Sequence, residues 1–304
     1  MPIAPIALFV YNRPEHTRKT IEALRKNDLA IESNLIIFSD GPKNKDAAVG
    51  VHEVRKYLKS ISGFKTVDIV EREENYGLAK SIINGVTEIV NNYGKIVVLE
   101  DDLVTSKYFL KYMNDALDMY ECDRQVASIN GYIYPIKEDL PETFFIKGAD
   151  CWGWGTWKRG WDMFEADGQK LLNELREKKL TKKFDFDNAY PYSQMLKMQI
   201  VGLNNSWAIR WHASAFLKNK LTLYPGKSLV HNIGNDDSGT HSGTYSMFDV
   251  EVSGVPILIK KILMEENEKV LEYINKYLTS TKMLVVINII RIKNIIKLLK
   301  KSLT

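Results

Sequence analysis

The sequence predicts an α/β fold built on a mixed, mostly parallel sheet flanked by helices. Three features of the first third of the chain support it: short aliphatic runs of strand length, intervening stretches with a helical apolar stripe, and turn formers at the joins. Pro5 to Val10 reads as the first strand. Pro14 suits the first turn of a helix, where a missing N–H costs nothing, and Thr17, Ile21 and Leu24 give that helix an inner face. Leu35 to Phe38 is a second strand, closed by the turn Ser39-Asp40-Gly41-Pro42. Ala48, Val51, Val54 and Leu58 stripe the next helix, and Val67 to Val70 is a third strand. Asn75-Tyr76-Gly77 turns into a helix carrying Leu78, Ile82, Val86, Ile89 and Val90, which leads to the strand Ile96 to Leu99. In open sheets of this kind ligands gather at the carboxyl ends of the strands, where Tyr11, Asp40 and Asp102 emerge.

The second half is less regular. Ala149 to Phe164 is dense in Trp and Gly, Leu171 to Phe184 is a charged helical stretch, Trp207 to Leu217 is a helix rich in aromatics, and Leu221 to Tyr224 is a late strand. No repeat or low-complexity linker separates the halves. The expected organisation is residues 1–125 and 126–260 as two halves of one domain, then a helical tail over 261–304.

Composition excludes several classes. Two cysteines, Cys122 and Cys151, support neither a disulfide framework nor a zinc cluster, so a reducing cytosol is expected. The amino terminus lacks a basic leader and reads as a strand, and no segment is apolar enough to span a bilayer. The formal charge is +4, yet Lys282, Arg291, Lys293, Lys297, Lys300 and Lys301 carry six positive charges with no acid among them, leaving −2 for the rest. Those cations alternate with Ile287, Ile290, Ile295, Leu298 and Leu299, as in an amphipathic helix. Such a helix lies on a membrane surface, or docks on the core or a partner. The basic residues lie among aliphatics rather than exposed aromatics, which argues against nucleic acid.

The most informative segment is Lys95 to Leu103, a strand ending in Glu100-Asp101-Asp102. Three adjacent acids repel one another and need a compensating cation, a bound divalent metal being the usual one, which in turn suits a phosphorylated substrate. Asp102 is the expected metal ligand. The alternative is that these acids cap a helix starting near Ser106.

Several segments in order carry a resemblance: Tyr11-Asn12-Arg13-Pro14, Ser39-Asp40-Gly41, Asn75-Tyr76-Gly77-Leu78-Ala79-Lys80 and Leu99-Glu100-Asp101-Asp102-Leu103. Together they resemble the nucleotide-sugar-binding part of GT-A fold glycosyltransferases. The last is similar to the Glu-Asp-Asp form of the Asp-X-Asp motif in N-acetylglucosaminyltransferases of the complex N-glycan pathway and bacterial relatives. The resemblance implies a transferase that uses a nucleoside diphosphate sugar, most simply a UDP-sugar, with Mn²⁺ or Mg²⁺. A glycan or lipid-linked saccharide would be the acceptor, in surface polysaccharide assembly at the cytosolic membrane face. It implies Asp101 on the ribose or sugar, Glu100 orienting its neighbours, Tyr11 and Arg13 near base and pyrophosphate, and Asp40 on uracil or ribose. Gly41, Asn75 and Gly77 would shape the nucleotide site, and Lys80 would pair with phosphate. Ordinary turn chemistry competes for Asp40, and simple solvation for Lys80.

Asp150-Cys151-Trp152-Gly153-Trp154-Gly155-Thr156-Trp157 is similar to a Trp-Gly-Trp-x-Thr-Trp stretch of bacterial glycosyltransferases where donor and acceptor meet. There the indoles would stack on sugar, although a packed structural corner has the same composition. An inverting transfer needs a general base. Asp150 is the first candidate, with Asp187 and Asp236 as alternatives, because the aspartate of a related Trp-Asp-x-x-Trp pattern is replaced here by Ala208. The polar run His231 to His241 resembles a loop that closes over the donor, with His231 or His241 as a further metal ligand or phosphate contact. Two other readings stay open. A sugar-phosphate nucleotidyltransferase would have a Gly-rich loop after the first strand, where this chain has Tyr11-Asn12-Arg13-Pro14. A non-catalytic glycan-binding module would have no need of Asp101 and Asp102.

Overall fold

A computed structural model describes residues 2–236 and 246–280. In chain order these residues form β1 (Ile6–Val10), α1 (Pro14–Arg25), β2 (Asn34–Ser39), α2 (Lys45–Leu58), β3 (Thr66–Glu71), α3 (Gly77–Tyr93), β4 (Lys95–Glu100), β5 (Leu103–Thr105), α4 (Phe109–Met119), β6 (Val126–Asn130) and β7 (Thr143–Lys147). There follow β8 (Trp154–Trp157), α5 (Lys158–Trp161), α6 (Gly168–Glu177), α7 (Thr181–Phe184), α8 (Tyr192–Ile200), α9 (Trp207–Leu217), β9 (Leu221–Pro225), β10 (Val230–Asn232) and α10 (Glu268–Leu278).

One eight-stranded sheet runs in the order β3-β2-β1-β4-β8-β6-β9-β7, and β5 pairs with β10 in a separate antiparallel ribbon. The first four strands are parallel, β8 enters antiparallel to both β4 and β6, β9 is parallel to β6, and β7 is antiparallel at the edge. This is the mixed, mostly parallel, helix-flanked α/β architecture the sequence predicts. Helices cover both faces, so β1 and β4 are apolar on both sides, and Ile96 to Leu99 are fully buried. One face packs Leu8, Leu99 and Val97 against α1 and α4, and the other packs Phe9, Val98 and Ile96 against α3 and the tryptophans of the second half. The sheet is continuous across residue 125, with β6, β8 and β9 extending it from β4.

The second half departs from expectation where packing outranks local signals. The Trp-Gly stretch is strand β8 in the middle of the sheet. Leu171 to Phe184 falls within two helices, α6 and α7, separated by a turn in which Lys179 is left-handed (φ 57°). Leu78 is 46% exposed and lies off the buried face of α3, which is carried by Ala79, Ile82, Val86, Ile89 and Val90. Within 261–304, α10 packs Val270, Ile274 and Leu278 onto a cluster containing Phe144, Ile146 and Tyr224. No helix among the described residues is long and apolar enough to cross a membrane. The amphipathic tail 282–304 and His241 lie outside the described residues.

Candidate active site

The register of the sheet assembles the site. Phe9 of β1 lies opposite Glu100 of β4, so the residues just past β1 emerge beside the acids just past β4. Arg13, before Pro14 opens α1, donates from Nη2 to Asp101 Oδ1 and to Asp102 Oδ2, the latter at 2.8 Å. The Thr20 hydroxyl in α1 donates to the Asp101 carbonyl at 2.9 Å. From the other side Ile233 N–H donates to the Asp102 carbonyl at 2.9 Å. Gly234 presses close enough that a Cβ there would lie 2.2 Å from Asp102 Oδ2, so a side chain at this position would have to displace that carboxylate. β5 intervenes between the acids and α4, whose first residue is Phe109, and the acids therefore do not cap that helix.

The electrostatics follow from burial and crowding. Glu100 is pushed up to about 8, first by loss of water and then by the charges of Asp102 and Asp101, against the pull of Arg13 and of the Trp207 indole N–H that donates to it. Burial likewise raises Asp101, partly offset by Arg13. Burial disfavours the Arg13 charge, yet the two carboxylates outweigh it and raise its pKa above the ordinary value. Thus the cation the acidic triplet requires is, in part, Arg13. One polar atom is left over: Asp101 Oδ2 is buried with no hydrogen-bond partner.

At the end of β2 the arrangement is different. Asp40 Oδ1 accepts from Gly41 N–H (3.0 Å) and Tyr76 N–H (2.8 Å), and Oδ2 accepts from Asn75 Nδ2 (3.0 Å) and Gly77 N–H (2.8 Å). Both lone pairs of each oxygen are thereby used. Asn75 also donates to the Gly41 carbonyl at 2.8 Å. Gly77 is left-handed (φ 70°) as the chain enters α3. Asp40 thereby ties the ends of β2 and β3 to the start of α3. Lys80 lies over the Tyr76 ring at 4.0 Å, and Arg72 lies over the same ring at 4.3 Å. The Tyr11 hydroxyl accepts from Lys43 N–H at 3.0 Å, which draws the 41–44 loop across the end of β1.

The antiparallel course of β8 brings its amino-terminal end to the carboxyl end of β4, and so places Asp150 to Gly153 beside the triplet. The Cys151 thiol is pushed well above its usual value by burial and by Asp150, Glu100 and Asp102, which puts all three within electrostatic reach of it. Asp150 is raised by burial, against the Cys151 N–H that donates to it at 2.7 Å and the Tyr224 hydroxyl at 3.4 Å. Its charge in turn raises Tyr134, Tyr190, Tyr192 and Tyr224, all already raised by burial. Tyr134 and Tyr192 meet hydroxyl to hydroxyl at 3.3 Å.

Trp154 and Trp157 do not stand open to a sugar as expected. Trp154 and Trp157 are 0% and 3% exposed. Trp154 packs among Trp161, Trp207 and Trp211 with ring centres 5.4–5.8 Å away. They are core, and only Trp152, edge-on to Tyr132 and Phe248, is half exposed. Ala208 sits partly buried against this cluster. Next to Asp150, His212 is buried with Nδ1 against the Ala149 carbonyl (2.8 Å) and is pushed down to about 4 by burial.

The remaining candidates separate clearly. Asp187 is exposed and left-handed (φ 54°). Asp236 pairs with His16 Nε2 at 3.0 Å. His231 lies in β10 opposite Val104, and its Nδ1 accepts from Val250 N–H at 3.4 Å. Among the described residues no three His, Cys, Asp or Glu side chains form a ready metal cage. The donors do fit a hard cation that completes its shell with ligand oxygens: a buried, unpartnered Asp101 oxygen beside the carboxylate of Asp102. Sequence reasoning missed His16 and Trp207. His16 follows Arg13 by one helical turn and shares its face, a spacing that could have marked it; nothing in the sequence tied Trp207 to Glu100.

No protein-family model matches this sequence, and no curated protein matches it either. Solved structures do. Crystallised residues 1–349 of Staphylococcus aureus TarS are 10% identical, with a TM-score of 0.40 over 77% of this chain and 61% of that one. A longer S. aureus TarS structure is 13% identical, with a TM-score of 0.40 over 77% and 37%. A Desulfovibrio desulfuricans G20 protein described as a nucleotide-diphospho-sugar transferase is 12% identical, with a TM-score of 0.36 over 58% and 77%. This chain spans less than two thirds of the TarS chains it matches. Likeness at this level carries no weight for function, which has to be argued from the chain's own residues.

Proposed function

We propose that this chain is a glycosyltransferase that moves a sugar from a nucleoside diphosphate sugar, a UDP-sugar in the simplest case, to a glycan or lipid-linked acceptor. The observation that carries the reading is the buried Asp101 oxygen without a partner, next to Asp102 and Arg13 at the carboxyl end of a parallel strand. A fold has no use for such an atom, whereas a cation-bridged diphosphate does. Mn²⁺ or Mg²⁺ would be held by Asp102 and Asp101, with His231 as an outer candidate, and when bound would neutralise charge on the leaving diphosphate. Arg13, already between the two carboxylates, is placed to exchange one of them for a phosphate oxygen. Glu100, held by Trp207, orients the pair. Tyr11, Gly41, Asn75, Gly77 and Lys80 border the same sheet edge, where a nucleotide would lie.

Asp150 is the proposed general base. Its pKa is raised, which brings a carboxylate closer to the value suited to taking a hydroxyl proton near neutral pH. It lies beside the triplet among tyrosines, a setting suited to an acceptor hydroxyl attacking the anomeric carbon with inversion. The tail 282–304 would hold the enzyme peripherally at the inner membrane face, where lipid-linked saccharides of surface polysaccharide assembly are presented. The test is hydrolysis and transfer assays over a panel of UDP-sugars with and without Mn²⁺, run on the wild type and on Asp102→Ala. Metal-dependent turnover that vanishes in the variant is expected; no turnover of any donor by the wild type would refute the enzyme reading. Vesicle sedimentation with and without residues 282–304 tests the membrane contact.

A further inference from the structure

A groove of about 460 Å³ runs between α1 and β5, away from the acids of β4. Lys19, Ala23 and Lys26, in and just past α1, form one bank, and Val104, Thr105 and Lys107, in and just past β5, form the other. Lys19 and Lys26 stand two helical turns apart on one side of α1, and the short side chain of Ala23 between them leaves the groove open. Lys19, Lys26 and Lys107 are all exposed, and none forms an ion pair with another described residue. The one acid lining the groove is engaged elsewhere: Glu22 accepts from Arg25 Nη2 at 2.7 Å and from the Tyr57 hydroxyl of α2 at 3.5 Å. The banks are tied together without the lysine side chains. Asn27 Nδ2 donates to the Thr105 hydroxyl at 3.0 Å, Leu110 N–H donates to Asn27 Oδ1 at 2.9 Å, and Asp28 N–H donates to the Lys107 carbonyl at 3.0 Å.

Three ammonium groups around one concavity repel one another, and none of them holds the fold together through a carboxylate. Nor do they reflect a basic body, because the residues before Lys282 sum to −2. An anion in the groove would relieve the repulsion. Lysine binds phosphate as a compact point charge. At ~1.5 Å of rise per residue, Lys19 and Lys26 are about 10 Å apart along the helix axis, so the charge is spread along a line and suits more than one phosphate. The volume lies within the about 300–1,000 Å³ usual for small-ligand sites. We infer that this groove binds a ligand through two or more phosphate groups, paired with Lys19, Lys26 and Lys107. Such phosphates come either from a soluble diphosphate or from neighbouring headgroups of an anionic lipid surface. The inference goes beyond the transferase reading and does not depend on it, since none of the three lysines touches the acids at the end of β4.

The experiment reads each lysine separately, so that neither the tail nor the acidic site confuses the result. The full chain is acetylated under limiting reagent at constant ionic strength, and the rate at each lysine is followed by mass spectrometry. The probes are inorganic diphosphate, vesicles of phosphatidylcholine alone, and vesicles of phosphatidylcholine with phosphatidylglycerol. At saturation, diphosphate or the anionic vesicles should slow acetylation of Lys19, Lys26 and Lys107 by at least about threefold through mass action. The exposed Lys182 and Lys218, on other elements, should be unaffected. Protection by diphosphate assigns a soluble ligand, and protection by the anionic vesicles alone assigns headgroups. No protection by either, equal protection of Lys182 and Lys218, or protection by phosphatidylcholine alone would each overturn the inference. In the double variant Lys19→Gln and Lys26→Gln, with its fold checked by melting, Lys107 should lose its protection. If Lys107 stays protected without its two partners, the three do not form one site and the inference fails.

Discussion

Two aspartates close neighbouring parts of one sheet edge and lead opposite lives. Asp40 follows β2 and Asp101 follows β4, with only β1 between the strands, and both are nearly sealed from solvent at 6% and 4% exposure. Asp40 is surrounded by four N–H donors and has no lone pair to spare. Asp101 has Arg13 on one oxygen and nothing on the other, among neighbours that resist its ionisation. A buried carboxylate saturated by neighbouring N–H groups, three from the backbone and one from Asn75, holds a turn together. One left half-satisfied stores free energy that a ligand can recover.

That contrast can be broken by substitution. The largest effect is expected on turnover: Asp101→Asn or Asp102→Ala should lower donor hydrolysis by at least about 10²-fold. The melting midpoint should hold or rise, because each substitution relieves the crowded triplet; a marked fall in midpoint would make these acids structural. Asp40→Ala should act the other way round. It strands several buried N–H groups, at about 1–3 kcal/mol for a group left unsatisfied, and denaturant titration should show the loss, with any loss of activity following stability. A core control is Trp154→Ala, for which about 3–5 kcal/mol is expected from loss of a fully buried indole; a loss of under about 1 kcal/mol would return Trp154 to the sugar site.

A subtler effect lies in pH. The Glu100 pKa is raised to about 8 in the fold, so the folded state holds that proton after the unfolded chain has released it. The associated stability is full below the ordinary carboxylate pKa and declines as pH rises toward 8. His212, pushed down to about 4, has the opposite sign and acts only below its ordinary value near 6.5. Between pH 6.5 and 8 the fall in melting midpoint should therefore flatten in Glu100→Gln, and an unchanged slope would remove Glu100 as its source. The smallest effect is expected of the half-exposed His16–Asp236 pair, where His16→Asn should cost under about 1 kcal/mol.

Much of this edge of the sheet was legible in the sequence. Strands β1 to β4 and helices α1 to α3 announce themselves because aliphatic runs and helical stripes are local signals, and the acids of Glu100 to Asp102 stand out because adjacent charges at the end of an apolar strand are costly. The second half was less legible. Trp154 to Trp157 looks like an exposed aromatic platform in one dimension, yet it is the strand that joins β4 to β6. Whether an indole faces sugar or core depends on what packs over it, and here α9 and α5 bring Trp161, Trp207 and Trp211 onto Trp154.

By itself, the sequence determined the order of elements in the first half and the acidic end of β4, since both follow from periodicity and charge along the chain. Only the tertiary structure decided the partners: that Arg13 supplies positive charge to Asp101 and Asp102, that Asp40 spends its lone pairs on the turn into α3, and that Asp150 enters among tyrosines beside the triplet. These residues are far apart in sequence, and their meeting is set by strand register and by the antiparallel entry of β8, which are properties of pairing between segments and not of any one segment.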